Sequence, residues 1–303
     1  MDRPEAGRCE RLEPGLRRVL APNPSPMTLW GTNSYLVGEG EVALIDPGPD
    51  LPAHREALLA ALAPGERIST ILVTHAHRDH SPLAAPLAAA TGAEVLAFGS
   101  AEAGRSPLMA ELAAGGLEGG EGVDTAFRPD RCLAHGERVQ GPGWVLEAIH
   151  TPGHLGSHLC FAWGDRCFSG DHAMGWATSL VSPPDGDMGA YVASLAQLSA
   201  RSWRLLYPGH GAPVTDPGSR LAWLAAHRRE RESSILAELA RGPATVRDLT
   251  PRIYRETPPE LLPAAARNLL AHLLDLWNRR QVSADPGPSP DAIFTLSEPR
   301  EES

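Results

Sequence analysis

The sequence predicts a layered α/β domain followed by a smaller module with the element order of a winged helix. Three observations carry this. Short apolar runs alternate with helical patterns over residues 16–226. Near Arg228 the texture changes to three consecutive helical patterns. Two strand-like runs around the turn Asp285-Pro286-Gly287-Pro288 then follow. The expected division is 1–226 for the first domain and 227–303 for the second.

Residues 16–20, 32–37 and 42–45 read as strands, punctuated by Pro22-Asn23-Pro24-Ser25-Pro26, Gly38-Glu39-Gly40 and Asp46-Pro47-Gly48-Pro49. Residues 52–63 read as a helix that starts at a proline and stops at Pro64-Gly65. A buried-type strand at 68–74, a helix at 81–91 ended by Gly92, and a strand at 95–98 complete the first half. Residues 113–122, rich in glycine, predict a mobile loop. Strands resume at 144–149, 159–163 and 166–169, and Asp187 is a plausible N-cap for a helix over 188–201. A short strand at 205–207 precedes a helical region that opens at Asp216-Pro217. In the second module, helices are expected at 228–241, 245–254 and 259–280, with strands at 281–283 and 292–296.

Composition sets outer limits. The chain has 303 residues and is 42% hydrophobic, enough for a real core. Its net charge of -10 makes nucleic acid and anionic membrane poor default partners. All 27 basic residues are arginine, which excludes a Schiff-base lysine and a phosphate-loop lysine. No apolar run reaches the ~18 residues of a membrane span, and the first residues carry no apolar signal core. A cytoplasmic setting without membrane attachment is therefore expected. Cys9, Cys132, Cys160 and Cys167 form no C-x-x-C pair. Cys160 and Cys167 flank an expected hairpin and read as buried thiols.

The decisive segment is Thr74-His75-Ala76-His77-Arg78-Asp79-His80. It follows a buried strand and precedes a helix, where α/β sites lie. Side chains two apart in extended chain point the same way, so His75 and His77 can grip one ion. The turn into the helix re-aims Asp79 and His80 toward a second position. Imidazole plus carboxylate suits Zn, with Mn or Fe possible. Three later strands end in glycine turns that each present one ligand-capable group: Thr151-Pro152-Gly153-His154, Ser169-Gly170-Asp171 and Pro208-Gly209-His210.

In this order the motifs H-x-H-x-D-H, T-P-G-H, S-G-D and P-G-H resemble the metallo-β-lactamase-fold hydrolases, over about residues 16–226. The resemblance implies a four-layer αββα sandwich with a dinuclear metal centre at its edge. It implies that His75, His77 and His154 hold the first metal. Asp79, His80 and His210 would hold the second, with Asp171 bridging the two. The expected cofactor is two Zn²⁺ per chain, with Mn or Fe as alternatives. The Asp79-His80 pair, with no cysteine at the Asp171 position, resembles the glyoxalase II and lactonase branches. The C-terminal module is similar to the β-lactamase-like protein 2 group, which couples this domain to a winged helix. Members and relatives of that group act on single-stranded RNA or on thioesters.

Two divalent ions ~3.5–4 Å apart lower the pKa of a bridging water toward neutrality. The expected activity is hydrolysis of a small thioester, ester or lactone by that bridging hydroxide, with Asp79 orienting the nucleophile and shuttling its proton. An endoribonuclease acting on single-stranded RNA is the alternative, weakened by the acidic charge. A winged-helix regulator that binds nucleic acid is weaker still. Residues 228–303 hold 11 arginines against 12 acidic residues, and the third helix has only Arg267, Arg279 and Arg280 as bases. The winged helix is instead expected to wall the cleft, and its removal to cost activity more than metal content. The absence of lysine speaks against glyoxalase II proper, whose glutathione recognition uses basic residues. Nothing in the sequence reports oligomeric state.

Several residues keep two readings. His158 is either a partner holding His154 or a strand-start histidine without a role. Trp176 is either a pocket wall or core packing. Arg78 either meets an anionic substrate or is solvated. His135, His172 and His227 read as structural or exposed, and Ser157 and Ser169 as turn residues.

Overall fold

The computed structural model describes residues 3–120 and 122–297. Seven strands form the first sheet in chain order: β1 Cys9–Glu13, β2 Leu16–Leu20, β3 Asn33–Val37, β4 Glu41–Ile45, β5 Arg67–Leu72, β6 Glu94–Ala97 and β7 Arg131–Cys132. The first four pair antiparallel, β1–β2 and β3–β4 through short turns and β2–β3 through a longer loop over residues 21–32. From β4 onward pairing is parallel, because helices α1 Pro52–Ala60 and α2 Ala84–Thr91 now serve as the crossovers. The second sheet holds β8 Arg138–Gly141, β9 Trp144–His150, β10 Leu159–Trp163, β11 Arg166–Gly170 and β12 Leu205–Pro208, ordered β12-β11-β10-β9-β8. Only β11–β12 is parallel there.

Three apolar layers separate four structural ones. The first core lies between sheet one and its helices, joining Leu36, Leu44 and Ile71 to Leu58 and Leu87. The second lies between the sheets, joining Tyr35, Ile45 and Leu72 to Leu146, Phe161 and Phe168. The third joins Ile149, Cys160 and Leu206 to Tyr191 and Leu195 of α4 Met188–Ser199 and Leu221 and Leu224 of α5 Pro217–Leu239. This is the αββα sandwich, and its helices stand where the strand alternation demanded cover. Cys160 and Cys167 are buried and unpaired.

Four elements were not anticipated: β1, β7, β8 and helix α3 Pro107–Ala114. The edge strand β1 is polar and mostly exposed, so it carries no apolar signal. The expected helix at 81–91 begins at Ala84 because Ser81 caps the preceding turn instead, bonding His77 O and Asp124. Among the described residues of the glycine-rich stretch, Gly120 N–H donates to Asp185 at 3.1 Å and Arg267 reaches Glu118 O at 2.7 Å. A Cβ on Gly119 would fall 2.1 Å from the Asp185 carboxylate, so the approach admits only glycine.

The C-terminal module contains α6 Val246–Ile253, α7 Leu262–Asn278 and the hairpin β13 Val282–Asp285 with β14 Ile293–Leu296. Thr245 and Asp248 close a capping box on α6. Helix α5 runs unbroken through the 226/227 position and supplies Ile235 and Leu239 to the module's core. Met109 of α3 joins that core, and Ala271 of α7 joins the third core of the sandwich. Among the described residues no helix is long and apolar enough to cross a membrane.

Glu13 clamps the two sheets at one end. Its carboxylate accepts from Arg166 Nε at 3.1 Å, Arg204 Nη2 at 2.8 Å and Tyr207 Oη at 2.5 Å. Burial raises its proton affinity, but these donors outweigh it and pull the pKa down to about 2. A depressed carboxylate stabilises the fold above its unfolded pKa, and the contribution fades as pH falls toward the folded value. Glu13→Gln should therefore cost on the order of 2–3 kcal/mol at pH 7. Urea unfolding at a series of pH values should show that difference narrowing below about pH 4.5; a constant difference would exclude the ionised clamp.

Candidate metal centre

The site lies where the turns that follow β5, β9, β11 and β12 meet at one edge of the sandwich. Parallel pairing of β4 with β5 and of β11 with β12 brings strand ends together there. The 208–211 turn is pinned to sheet one: Asn33 Nδ2 donates to Pro208 O and Gly211 O, and Tyr35 Oη donates to Pro208 O at 2.7 Å. A Cβ on Gly209 would lie 2.4 Å from Asp171 Oδ1 and 2.7 Å from the His80 ring, so only glycine lets the turn approach.

All seven anticipated residues converge. His75 Nε2 lies 2.9 Å from His77 Nδ1, and His154 Nε2 lies 3.1 Å from the same atom. Beside them, His210 Nε2 is 3.1 Å from Asp79 Oδ2 and 3.4 Å from His80 Nε2. Asp171 stands between the groups, with Oδ2 3.3 Å from His210 and 3.7 Å from His154, and Oδ1 3.6 Å from His80. The potential ligand atoms of His75, His77 and His154, of His75, His80 and Asp171, and of Asp79, His80 and His210 each lie within 4.8 Å of one another. His75, His80, His154, Asp171 and His210 are all at most 7% exposed.

Each of four buried imidazoles has an acceptor behind it that fixes its tautomer. His80 Nδ1 donates to Asp46 Oδ2 at 2.9 Å. His75 Nδ1 donates to Thr74 Oγ1, whose hydroxyl donates to Asp46 Oδ2 at 2.8 Å. His210 Nδ1 donates to Gly31 O at 3.1 Å, and His154 Nδ1 to Leu180 O at 2.6 Å. The opposite nitrogens therefore face the centre. His77 has one Nδ1 to offer two facing lone pairs, and Asp171 Oδ1 is buried without any hydrogen-bond partner. Such a donor set fits divalent cations and leaves hydrogen bonding incomplete without them.

Electrostatics point the same way. Burial, then the neighbouring imidazoles, hold His75 well below the ordinary imidazole range. Burial and His154 depress His77 to about 3. At His210 burial opposes protonation, yet Asp171 and Asp79 win and raise it to about 10. One half of the site offers neutral nitrogens, and the other attracts positive charge.

Asp46 escaped the sequence reading, where it counted as turn punctuation. Its signal was available: a lone acid ends the fully apolar run Val42-Ala43-Leu44-Ile45. Thr32, whose hydroxyl lies 3.1 Å from Asp79 Oδ2, was likewise missed. Of the two readings of His158, the structure does not bear out the first. The side chain does not hold His154; its Nδ1 bonds Thr151 Oγ1, and its ring packs 5.1 Å from that of His75. His172 is fully buried against Tyr191, and His227 stacks on Trp223. His135 accepts from His150 N–H. Ser169 bonds Ala173 O within its turn, while the Ser157 hydroxyl is buried without a partner. Arg78 lines a separate surface pocket with Arg105.

A cleft of about 400 Å³ opens over this cluster, with His77, Asp79, His154, Asp171 and His210 in its lining. Met27, Met174 and Trp176 line it from the first domain. Tyr254, Leu261, Ala264, Ala265 and Asn268 line it from the C-terminal module. Trp176 is thus a wall residue, 36% exposed, and no arginine lines the cleft among the described residues.

A profile of the metallo-β-lactamase superfamily matches residues 27–234. The chain belongs to that superfamily. A β-lactamase-associated winged-helix domain matches residues 245–287, which accounts for the second module. Over 300 residues the chain is 32% identical to a β-lactamase-like protein 2 homologue of Drosophila melanogaster, covering 95% of this chain and 96% of the relative. It is 29% identical over 287 residues to an atrochrysone carboxyl ACP thioesterase of Aspergillus chevalieri, covering 90% and 84%. A metallo-β-lactamase family protein of Thermus thermophilus superposes with a TM-score of 0.75 at 26% identity, covering 94% of this chain and all of that one. Superfamily membership and these relatives make the protein a hydrolase. The fold family binds divalent metals, and the histidine–aspartate cluster fits such a site.

Proposed function

We propose a dinuclear metallohydrolase whose substrate is a thioester, or failing that an ester or lactone, with an apolar acyl part. The observation that carries the reading is the cleft itself, lined around the histidine–aspartate cluster by Met27, Met174, Trp176, Leu180, Tyr254 and Leu261 and free of arginine among the described residues. An apolar group seated there loses water-exposed surface at roughly 25 cal/mol per Å². The relative from Aspergillus chevalieri, a thioesterase by name, supports thioesters first.

In this reading His75, His77 and His154 would hold one ion and Asp79, His80 and His210 the other, with Asp171 available to both. When bound, the two ions supply Lewis acidity and an ionised water at neutral pH. Asp46, Gly31 O and Leu180 O keep the ligand imidazoles in the tautomer that ligation needs. Asp79, with 27% of its side chain exposed, is the carboxylate available to orient the nucleophile and take its proton. Trp176 and Tyr254 flank the acyl group and exclude water.

Ribonuclease activity finds little support here. Tracking phosphates needs cations along the groove. Two arginines of the α7 region are engaged elsewhere: Arg267 bonds Ser182 and two backbone carbonyls, and Arg279 pairs with Asp275 and Glu232. The test is metal analysis followed by a panel of aryl and alkyl S-acyl thioesters, lactones and a short single-stranded RNA. About two divalent ions per chain and thioester turnover that rises with acyl size are expected. RNA cleavage without thioester turnover would overturn the substrate assignment, and one tightly held ion unchanged by supplementation would overturn the dinuclear one.

A further inference from the structure

His154 differs from His75 and His80 in what orients it. Its Nδ1 donates to a backbone carbonyl, Leu180 O, in a segment that has no regular secondary structure from 178 to 182. A carbonyl aims an imidazole only as well as its own chain is held. Three side chains hold this segment. Val181 N–H donates to Asn268 Oδ1 at 2.9 Å. Ser179 O accepts from Arg228 Nη2, and Arg228 Nη1 also reaches Asn268 Oδ1 at 3.5 Å. Arg267 bonds Ser182 Oγ at 2.8 Å and Pro183 O at 2.7 Å. Arg228 is 2% exposed, and its guanidinium lies 4.9 Å from the Tyr191 ring centroid, so its direction is fixed by packing.

All three side chains belong to α5 and α7, beyond the 226/227 position. Asn268 and Arg228 grip the residues on either side of Leu180, one at Val181 N–H and one at Ser179 O. We infer that Asn268 and Arg228 are positioning residues for His154, so that helices α5 and α7 set the geometry of one proposed metal ligand through the backbone of residues 179–181. The inference rests on His154 being a metal ligand, as proposed above. It also revises the truncation expectation: removing residues 228–303 takes the clasp away, so metal content should fall together with activity.

The test is metal binding by the full chain, read with Zn²⁺ alone by competition with a chromophoric chelator and with Co²⁺ alone by its visible spectrum. Asn268→Ala removes the acceptor; Asn268→Asp keeps Oδ1 and is the conservative control. Asn268 is only partly buried, so both variants should fold, and thermal melts verify this. Asn268→Ala should raise Kd for one of the two ions ~10–100-fold and alter the Co²⁺ spectrum. Asn268→Asp should stay within about 3-fold of the parent. Arg228→Gln, a second variant, should weaken the same ion. His154→Ala, run in parallel, separates the two ideas. If it weakens metal binding while Asn268→Ala and Arg228→Gln leave Kd and spectrum unchanged, the positioning role is wrong and the ligand stands. If His154→Ala itself leaves metal binding unchanged, the ligand assignment is wrong and the inference falls with it.

Discussion

Asp171→Asn should lower kcat by ~10³ or more, at least ~4 kcal/mol of transition-state stabilisation. The carboxylate stands between both ligand groups, within 3.7 Å of His80, His154 and His210. In the dinuclear reading two dications would be held close together, and an anion between them would offset part of their repulsion. The amide is nearly isosteric but neutral, and its nitrogen carries two hydrogens where a lone pair is needed. One ion should therefore be lost or displaced. The change is local, so the far-UV spectrum and thermal midpoint should hold. Elemental analysis alongside turnover decides the matter: two bound ions with near-normal kcat would remove Asp171 from the bridging role.

Asp46→Ala should produce the second-largest loss, ~10² in kcat, the upper end for such a partner, because one carboxylate orients two of the proposed ligands. It accepts from His80 directly and from His75 through the Thr74 hydroxyl, and it also accepts from Thr74 N–H at 2.7 Å. Removing it strands buried donors, which should cost ~2–4 kcal/mol of stability as well. Calorimetry and metal titration on the same sample would separate the two effects. A variant with both ions bound at parental affinity and kcat within a few-fold would show that the histidines need no such anchor.

Much of the first domain was legible because its signals are local. Residues 42–45 and 159–163 read as strands from uninterrupted apolar runs, and Asp187 and Asp216 read as caps from their chemistry; both accept the expected backbone bonds. The weakly patterned elements were lost. Edge strand β1 packs too little to need apolar residues, and β7 has two residues. Helix α3 is a different case, for Ser106 and Pro107 do mark its start, and the Ser106 hydroxyl accepts from Met109 N–H. Proximity to the glycine-rich stretch obscured it.

The sequence by itself determined which groups can ligate and that they sit at strand ends, since imidazole, carboxylate and turn glycine each announce their chemistry wherever they stand. It also determined that the cleft could not rely on lysine. The tertiary structure decided what surrounds those groups. Asp46 comes to His80 across 34 residues, Gly31 O to His210 across 179, and Asn268 to Val181 across 87. Such partners leave no periodic trace, because a buried donor needs only some acceptor in reach, and which acceptor arrives depends on how sheets and helices stack. The same holds for the winged helix. Its order of elements was readable from helical spacing, but that α7 lines the cleft over the histidine–aspartate cluster follows from apolar packing between α4, α5 and α7, which no local pattern encodes.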